Sequence, residues 1–182
     1  MYSDSPIAST VERRIVVRKS GQVATWRNLV ENRPDIAEAG RALLYQHGVG
    51  LAFLATVTTG GRPRVHPMCP LLNDGGLYAF IVPSPKQNDL RRVGLYSLHS
   101  FPCSENEDAF YLSGRAQRIG DPLLWRVMAT QFVQERDHLP IEPPGSEDML
   151  FQFEFDTVLL TRTIGHGDPA PTHLVWRSDP ER

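Results

Sequence analysis

At 182 residues the chain is the size of one domain around one hydrophobic core. Its 41% apolar and 22% charged residues are those of a folded globular protein and exclude a disordered chain. Nineteen basic against twenty-one acidic side chains give a formal charge of −2. No broad attraction to nucleic acid or anionic membrane is therefore expected, and any affinity for phosphate must be local.

The longest apolar runs, 49–57 and 77–82, are strand-sized and far short of a bilayer span. The first ten residues are polar, and Glu12, Arg13 and Arg14 follow without an apolar signal core. Cys69 and Cys103 read as reduced thiols in a chain without secretory features. A cytoplasmic location is the expectation.

Residues 1–22 show no firm periodicity; the patch 15–17 suits a short strand or an arm on a partner. From Trp26 onward, Leu29, Val30, Ile36, Ala39, Leu43 and Leu44 recur at roughly helical spacing, interrupted by Pro34. Two helical pieces are predicted, the second beginning near Asp35 and stopping at His47-Gly48. Residues 50–58 favour a strand, Thr59-Gly60-Gly61-Arg62-Pro63 a turn, and 64–72 a second strand. After the turn Asn73-Asp74-Gly75-Gly76, residues 77–82 form a third, so a three-stranded antiparallel meander is predicted.

Pro83-Ser84-Pro85 breaks the sheet. A short helix follows over 86–93, with Ser84 as its N-cap and Pro85 at its first position. Residues 94–100 read as a strand, 101–108 as an acidic loop and 109–119 as a strand of period two. Asp121-Pro122 opens a helix with an apolar stripe of Leu124, Trp125, Met128, Phe132 and Val133, ending before the Pro-rich loop 138–145. Residues 150–163 read as a final strand pair. No repeat appears, and the absence of strand–helix–strand alternation disfavours a doubly wound sheet. The reading is a mainly β (α+β) fold, an antiparallel barrel with flanking helices, divided into an N-terminal arm and helix (1–34), a barrel (35–164) and a C-terminal tail (165–182).

Chemistry concentrates at the second strand and the short helix. Ser84 and the amides of the first helical turn make an anion site. Lys86 adds a point charge there, and the hairpin can bring the Arg64 guanidinium to the same anion. Taken singly, each residue is equally a cap, a solvated lysine and a surface arginine. No two of the six histidines share the spacing of a metal pair, so no metal site is expected. His66 is a weak catalytic candidate by its pKa, and a structural strand histidine otherwise.

Leu54-Ala-Thr-Val, Gly60-Gly-Arg-Pro, Arg64-Val-His-Pro-Met, Leu77-Tyr-Ala-Phe, Ser84-Pro-Lys with Asp89-Leu-Arg-Arg, and Phe110-Tyr-Leu-Ser-Gly-Arg-Ala occur in that order. Over roughly residues 43–135 this pattern resembles the FMN-binding split barrels related to pyridoxamine 5′-phosphate oxidase. The resemblance implies a homodimer of split barrels with two flavins at the interface. It implies a phosphate held by Arg64, Ser84 and Lys86. Backbone around Val65, His66 and Pro67 would run along the ring edge, with Phe80 and Ile81 beside it. The partner subunit would close the site with Trp176 and Arg177, unless Trp176 is a packing residue. Pro85 stands where a second basic residue is expected, and the oxidase's basic C-terminal substrate motif is absent, which argues against pyridoxamine phosphate as substrate.

The implied activity is a flavin-dependent oxidoreductase acting on a small organic molecule. Two alternatives stay open: an F420-dependent reductase of the same fold, with Arg91, Arg92 and Arg115 along the longer anionic tail, and a non-catalytic flavin- or haem-binding barrel.

Overall fold

The computed structural model describes residues 23–179; the patch 15–17 lies outside them. Helix α1 (Trp26–Asn32) opens where the Asn28 carboxamide oxygen accepts from the Thr25 amide (2.9 Å) and hydroxyl (3.0 Å). Pro34, whose fixed φ suits the first helical position, ends α1 and starts α2 (Pro34–Leu44). The α2 apolar spacing buries Ile36, Ala37, Ala39, Gly40, Leu43 and Leu44 on one face. The helix stops three residues before the predicted His47-Gly48, and Gly48, at φ +82°, lies in the turn beyond.

The strands are β1 (Ala52–Val57), β2 (Pro63–Met68), β3 (Leu71–Asn73), β4 (Gly76–Ile81), β5 (Leu95–Ser100), β6 (Ala109–Arg118), β7 (Met149–Arg162) and β8 (Thr172–Arg177). Helix α3 (Pro85–Arg92) joins β4 to β5, and α4 (Pro122–Gln134) joins β6 to β7. All pairs are antiparallel, in the order β2-β1-β5-β6-β7-β4-β3. β7 carries β4 on residues 149–152 and β8 on 157–162, with Ala24 bridging Phe155 between them. A register shift at Ser113/Gly114 bends the β6–β7 pair; a β-carbon on Gly114 would collide with the Glu154 carbonyl, so the bulge requires glycine. The result is a curled antiparallel half-barrel with four helices, mainly β as the sequence predicts.

Two predictions are corrected. The meander does not form: β2 pairs with β1 and β3 with β4, at opposite ends of the strand order. The reason is Cys69-Pro70, where proline cannot continue a ladder and the chain crosses from one edge to the other. Gly50 lets it pass, because a β-carbon there would strike the Pro70 carbonyl. Residues 150–163 are one long strand rather than a pair, and the partner is β8, drawn from the segment read as tail.

The core is filled by inward residues of the curled sheet, with Leu54, Leu98, Phe110, Phe151, Phe153 and Phe155 fully buried. Trp26 meets Phe110 edge-on at 5.8 Å, and Tyr96 meets Phe153 at 4.9 Å, the geometry aromatic quadrupoles favour. A second cluster under α4 joins Met128, Leu71, Tyr78 and Leu150 to Phe80, Leu124, Trp125 and Phe132. Val133, predicted in that stripe, points to solvent instead. The Tyr45 hydroxyl ties α2 to both neighbours, donating to Glu135 (3.2 Å) and accepting from the Leu72 amide (3.0 Å); burial pushes its pKa up to about 12.

Phe110 touches α1, α2 and the sheet together. Phe110→Ala is expected to lower the unfolding free energy by roughly 3 to 5 kcal/mol, measured by urea denaturation followed by circular dichroism.

Candidate functional site

β2 is an edge strand, and its hydrogen bonds alternate. The Arg62 carbonyl accepts from the Thr58 amide at 2.9 Å, so the peptide groups of Arg62, Arg64 and His66 turn toward β1. Those of Pro63, Val65 and Pro67 face the open edge, and Lys86 Nζ donates to the Pro67 carbonyl there at 3.0 Å. Two of the three outward positions are proline and cannot donate, which protects the edge from pairing with another chain. Val65 alone of the three offers an N–H.

Side chains alternate the other way. Arg64 and His66 lie on the inner face, opposite Thr56 and Leu54, whereas the Val65 side chain is on the outer face and 65% exposed.

Helix α3 packs over β1 and β6 and reaches β2 through two side chains, Lys86 and Asp89. Ser84 caps it, accepting from the Gln87 amide at 3.4 Å and donating to the Val82 carbonyl at 2.8 Å. Pro85 removes one donor from the first turn, leaving the Lys86 amide directed outward. The buried Gln87 side chain donates to the Ile81 (2.7 Å) and Glu147 (3.2 Å) carbonyls, fixing the helix start on the end of β4. One turn beyond Lys86, the carboxylate of Asp89 accepts from the Thr56 hydroxyl (3.0 Å) and pairs with Arg64 Nε (3.4 Å). α3 therefore presents Lys86 and holds Arg64.

His66 sits within the field of both cations. Burial above all, then Lys86 and Arg64, hold its pKa below the usual 6.5, with Asp89 opposing. It is neutral at pH 7, and its buried Nε2 has no hydrogen-bond partner among the described residues. Burial also lowers the Lys86 pKa, against a smaller upward pull from nearby Cys69.

The residues read from sequence thus divide. Arg64, Val65, His66, Pro67, Ser84 and Lys86 gather at the β2–α3 junction. The Phe80 ring is taken up under α4, edge-on to Trp125 (5.3 Å) and Phe132 (6.0 Å), and Ile81 is buried in the core. Trp176 packs edge-on to Phe155 at 6.1 Å, while Arg177 is exposed on the other face of β8. β8 is separated from β2 by β1, β5, β6 and β7, so neither residue joins the junction within one chain. Arg91 and Arg92 lie in the last turn of α3, and Arg115 donates to the Val93 carbonyl at 2.8 Å beyond its C-terminal end, away from Lys86. His166 and His173 contact Ser104 and Thr161 in the C-terminal region. Among the described residues no group of three His, Cys, Asp or Glu side chains suits a metal ion, and no helix is long and apolar enough to cross a membrane.

Sequence reasoning missed Asp89 and Thr56. Asp89 stood inside the Asp89-Leu-Arg-Arg motif, where a helical aspartate reads as solvated; only the packing of α3 on β1 makes it a partner of Arg64.

No protein-family model matches the chain, and no curated protein does. Solved structures are similar to it. A haem-binding protein from Mycobacterium smegmatis superposes with a TM-score of 0.58 at 18% identity, over 80% of this chain. The chain spans only 59% of that protein's length. A pyridoxamine 5′-phosphate oxidase-related, FMN-binding protein from Nostoc punctiforme gives 0.56 at 18% identity, over 82% of this chain and 91% of the other. The fold is the pyridoxamine-phosphate-oxidase-like split barrel. PhzG from Burkholderia lata, in complex with tetrahydrophenazine-1-carboxylic acid, superposes with a TM-score of 0.58 at 16% identity over 84% of this chain and 87% of its own.

In an NMR titration the His66 imidazole is expected to show a midpoint below 6.5, moving up toward that value in Lys86→Met because one repelling cation is gone. A wild-type midpoint at or above 6.5 contradicts this electrostatic picture.

Proposed function

We propose that this split barrel binds FMN with its phosphate at the β2–α3 junction and its ring along the open edge of β2, and acts as a flavin-dependent oxidoreductase on a small organic substrate. The observation that carries the reading is that β2 meets the first two turns of one serine-capped helix through Arg64, paired with Asp89, and Pro67, bonded by Lys86, beside an edge strand whose one outward amide is Val65. The donor set fits the group. Two cations suit a phosphate dianion, the Lys86 amide adds a helix-start donor, and the Val65 N–H and C=O suit the mixed donors and acceptors of a flavin's polar edge. The Nostoc FMN-binding neighbour supports the same cofactor.

Bound there, the flavin supplies the two-electron chemistry by exchanging hydride with a substrate or a nicotinamide donor. The protein's part is binding and orientation. Arg64 and Lys86 neutralise the phosphate, and Val65 fixes the ring's height on the strand. With Arg91, Arg92 and Arg115 remote from Lys86, FMN is favoured over F420 with its longer anionic tail.

The site is completed by a second copy. Val65, Ala55, Ser97, Ser113, Thr157 and Arg177 form one register row across the outer face, and Phe53, Leu95 and Val175 expose apolar surface on the same side. Val65 and Arg177 stand five strand spacings apart, about 24 Å on a flat sheet. A twofold axis along the strands lays β8 of one copy over β2 of the other, so that Arg177 of the partner subunit faces the Val65 edge while Trp176 stays in its own core.

A second reading is a haem-binding barrel, as in the Mycobacterium smegmatis neighbour. It is favoured by His66, whose neutral ring and unbonded Nε2 match the state of an axial ligand. The absorbance of the purified protein separates the two, and His66→Ala abolishes binding only in the haem case.

Arg64→Ala and Lys86→Ala are each expected to weaken FMN binding by about 1 to 3 kcal/mol without changing the unfolding midpoint, read by quenching of flavin fluorescence. Unchanged affinity in both overturns the site. Val65→Asp is expected to give monomers by sedimentation and to release the flavin with the partner; a flavin-loaded monomer overturns the shared site.

A further inference from the structure

We propose that Asp89 is a positioning residue that aims Arg64 at the phosphate. The inference rests on the FMN reading above and adds to it a residue on the far side of the arginine.

A carboxylate is out of place beside an anion site. Asp89 is 8% exposed, and its carboxylate interacts with the Thr56 hydroxyl and Arg64 Nε. Desolvating a carboxylate for one hydroxyl and one half-exposed guanidinium is a poor source of stability. Its charge also opposes any phosphate near Lys86, one turn away on the same helix. A purely electrostatic anion site is better without it.

Geometry supplies the reason for its presence. An arginine on a strand has four rotatable side-chain bonds and sweeps a wide volume when unheld. Arg64 is held at Nε, the inner edge of the guanidinium, by a carboxylate fixed in turn by fully buried Thr56, its cross-strand partner on β1. Among the described residues no acceptor pairs with its two Nη groups, and the side chain is 43% exposed. One edge of the fork is therefore paired with a carboxylate at 3.4 Å, and the two Nη groups are left for an anion. The rigid fork suits two phosphate oxygens only when its plane is fixed, which a lysine at this position would not need. His66, on the same face of β2 two residues along, is neutral, so it neither repels Arg64 nor competes for Asp89 as a cation.

Removing the charge separates the two accounts by sign. If Asp89 acts on the phosphate only through its charge, Asp89→Asn tightens FMN binding. If it aims Arg64, Asp89→Asn weakens binding despite losing a like charge. The experiment is a double-mutant cycle with full-length protein and FMN, comparing wild type, Asp89→Asn, Arg64→Ala and the double variant. The expected result is a loss of about three- to ten-fold for Asp89→Asn in the wild-type background. In the Arg64→Ala background the effect is expected to be absent or reversed, because only the repulsion of Lys86-held phosphate remains to be relieved.

Wild-type protein that binds while Asp89→Asn binds as well or better overturns the aiming role and leaves the phosphate site standing. Wild type binding FMN no better than Arg64→Ala overturns the phosphate site, and the aiming role with it. If Asp89→Asn does not fold, the Arg64 Nε–H resonance of wild type, assigned with Arg64→Lys, decides. A dispersed, slowly exchanging signal that persists when FMN binds supports the anchored fork, and a signal averaged with the solvated arginines overturns it.

Discussion

The site depends on two side-chain contacts that tie α3 to β2, Lys86 to the Pro67 carbonyl and Asp89 to Arg64. An edge strand leaves peptide groups open, and here prolines at positions 63 and 67 remove two of the outward donors while Lys86 occupies the Pro67 carbonyl. What remains open is the Pro63 carbonyl and the N–H and C=O of Val65, with Lys86 on α3 and Arg64 on the strand beside them. Gln87 fastens the first turn of α3 to the end of β4 and to Glu147, two residues before β7, so the helix start is held in place. A net charge of −2 for the whole chain and a cationic junction are compatible because the junction holds two cations, one buried carboxylate and a neutral histidine.

Magnitudes assign the roles. Arg64 is nearly half exposed, so its pairing with Asp89 contributes about 0 to 1 kcal/mol to stability, and the fold does not rest on it. The core residues Phe110, Phe151, Phe153 and Phe155 each account for several times that amount. The fold is thus stabilised away from the junction, which is why substitutions there are expected to leave folding intact.

Much of this was legible in the sequence, for local reasons. Pro34 and Pro85 mark helix starts because a ring-locked φ fits the first helical position, and Ser84 caps where a cap was expected. The strands of the hairpin around residues 59–63 follow from period and turn chemistry. What was not legible is non-local. Pro70 marks a break in the strand, but nothing in residues 64–72 announces that the chain then crosses to the far edge, because that choice is made by which strands β7 accepts. The same limit hid β8 in a Gly- and Pro-rich tail and sent Phe80 under α4. Asp89 was visible as a letter and silent as a partner until α3 was placed on Thr56.

The measurement that bears most directly on the central claim is a crystal structure of the protein grown with FMN. The account predicts a phosphate within hydrogen-bond reach of both Arg64 and Lys86, with the ring's polar edge on the Val65 peptide. A flavin phosphate bound elsewhere, or Arg64 and Lys86 turned to opposite sides of α3, contradicts it.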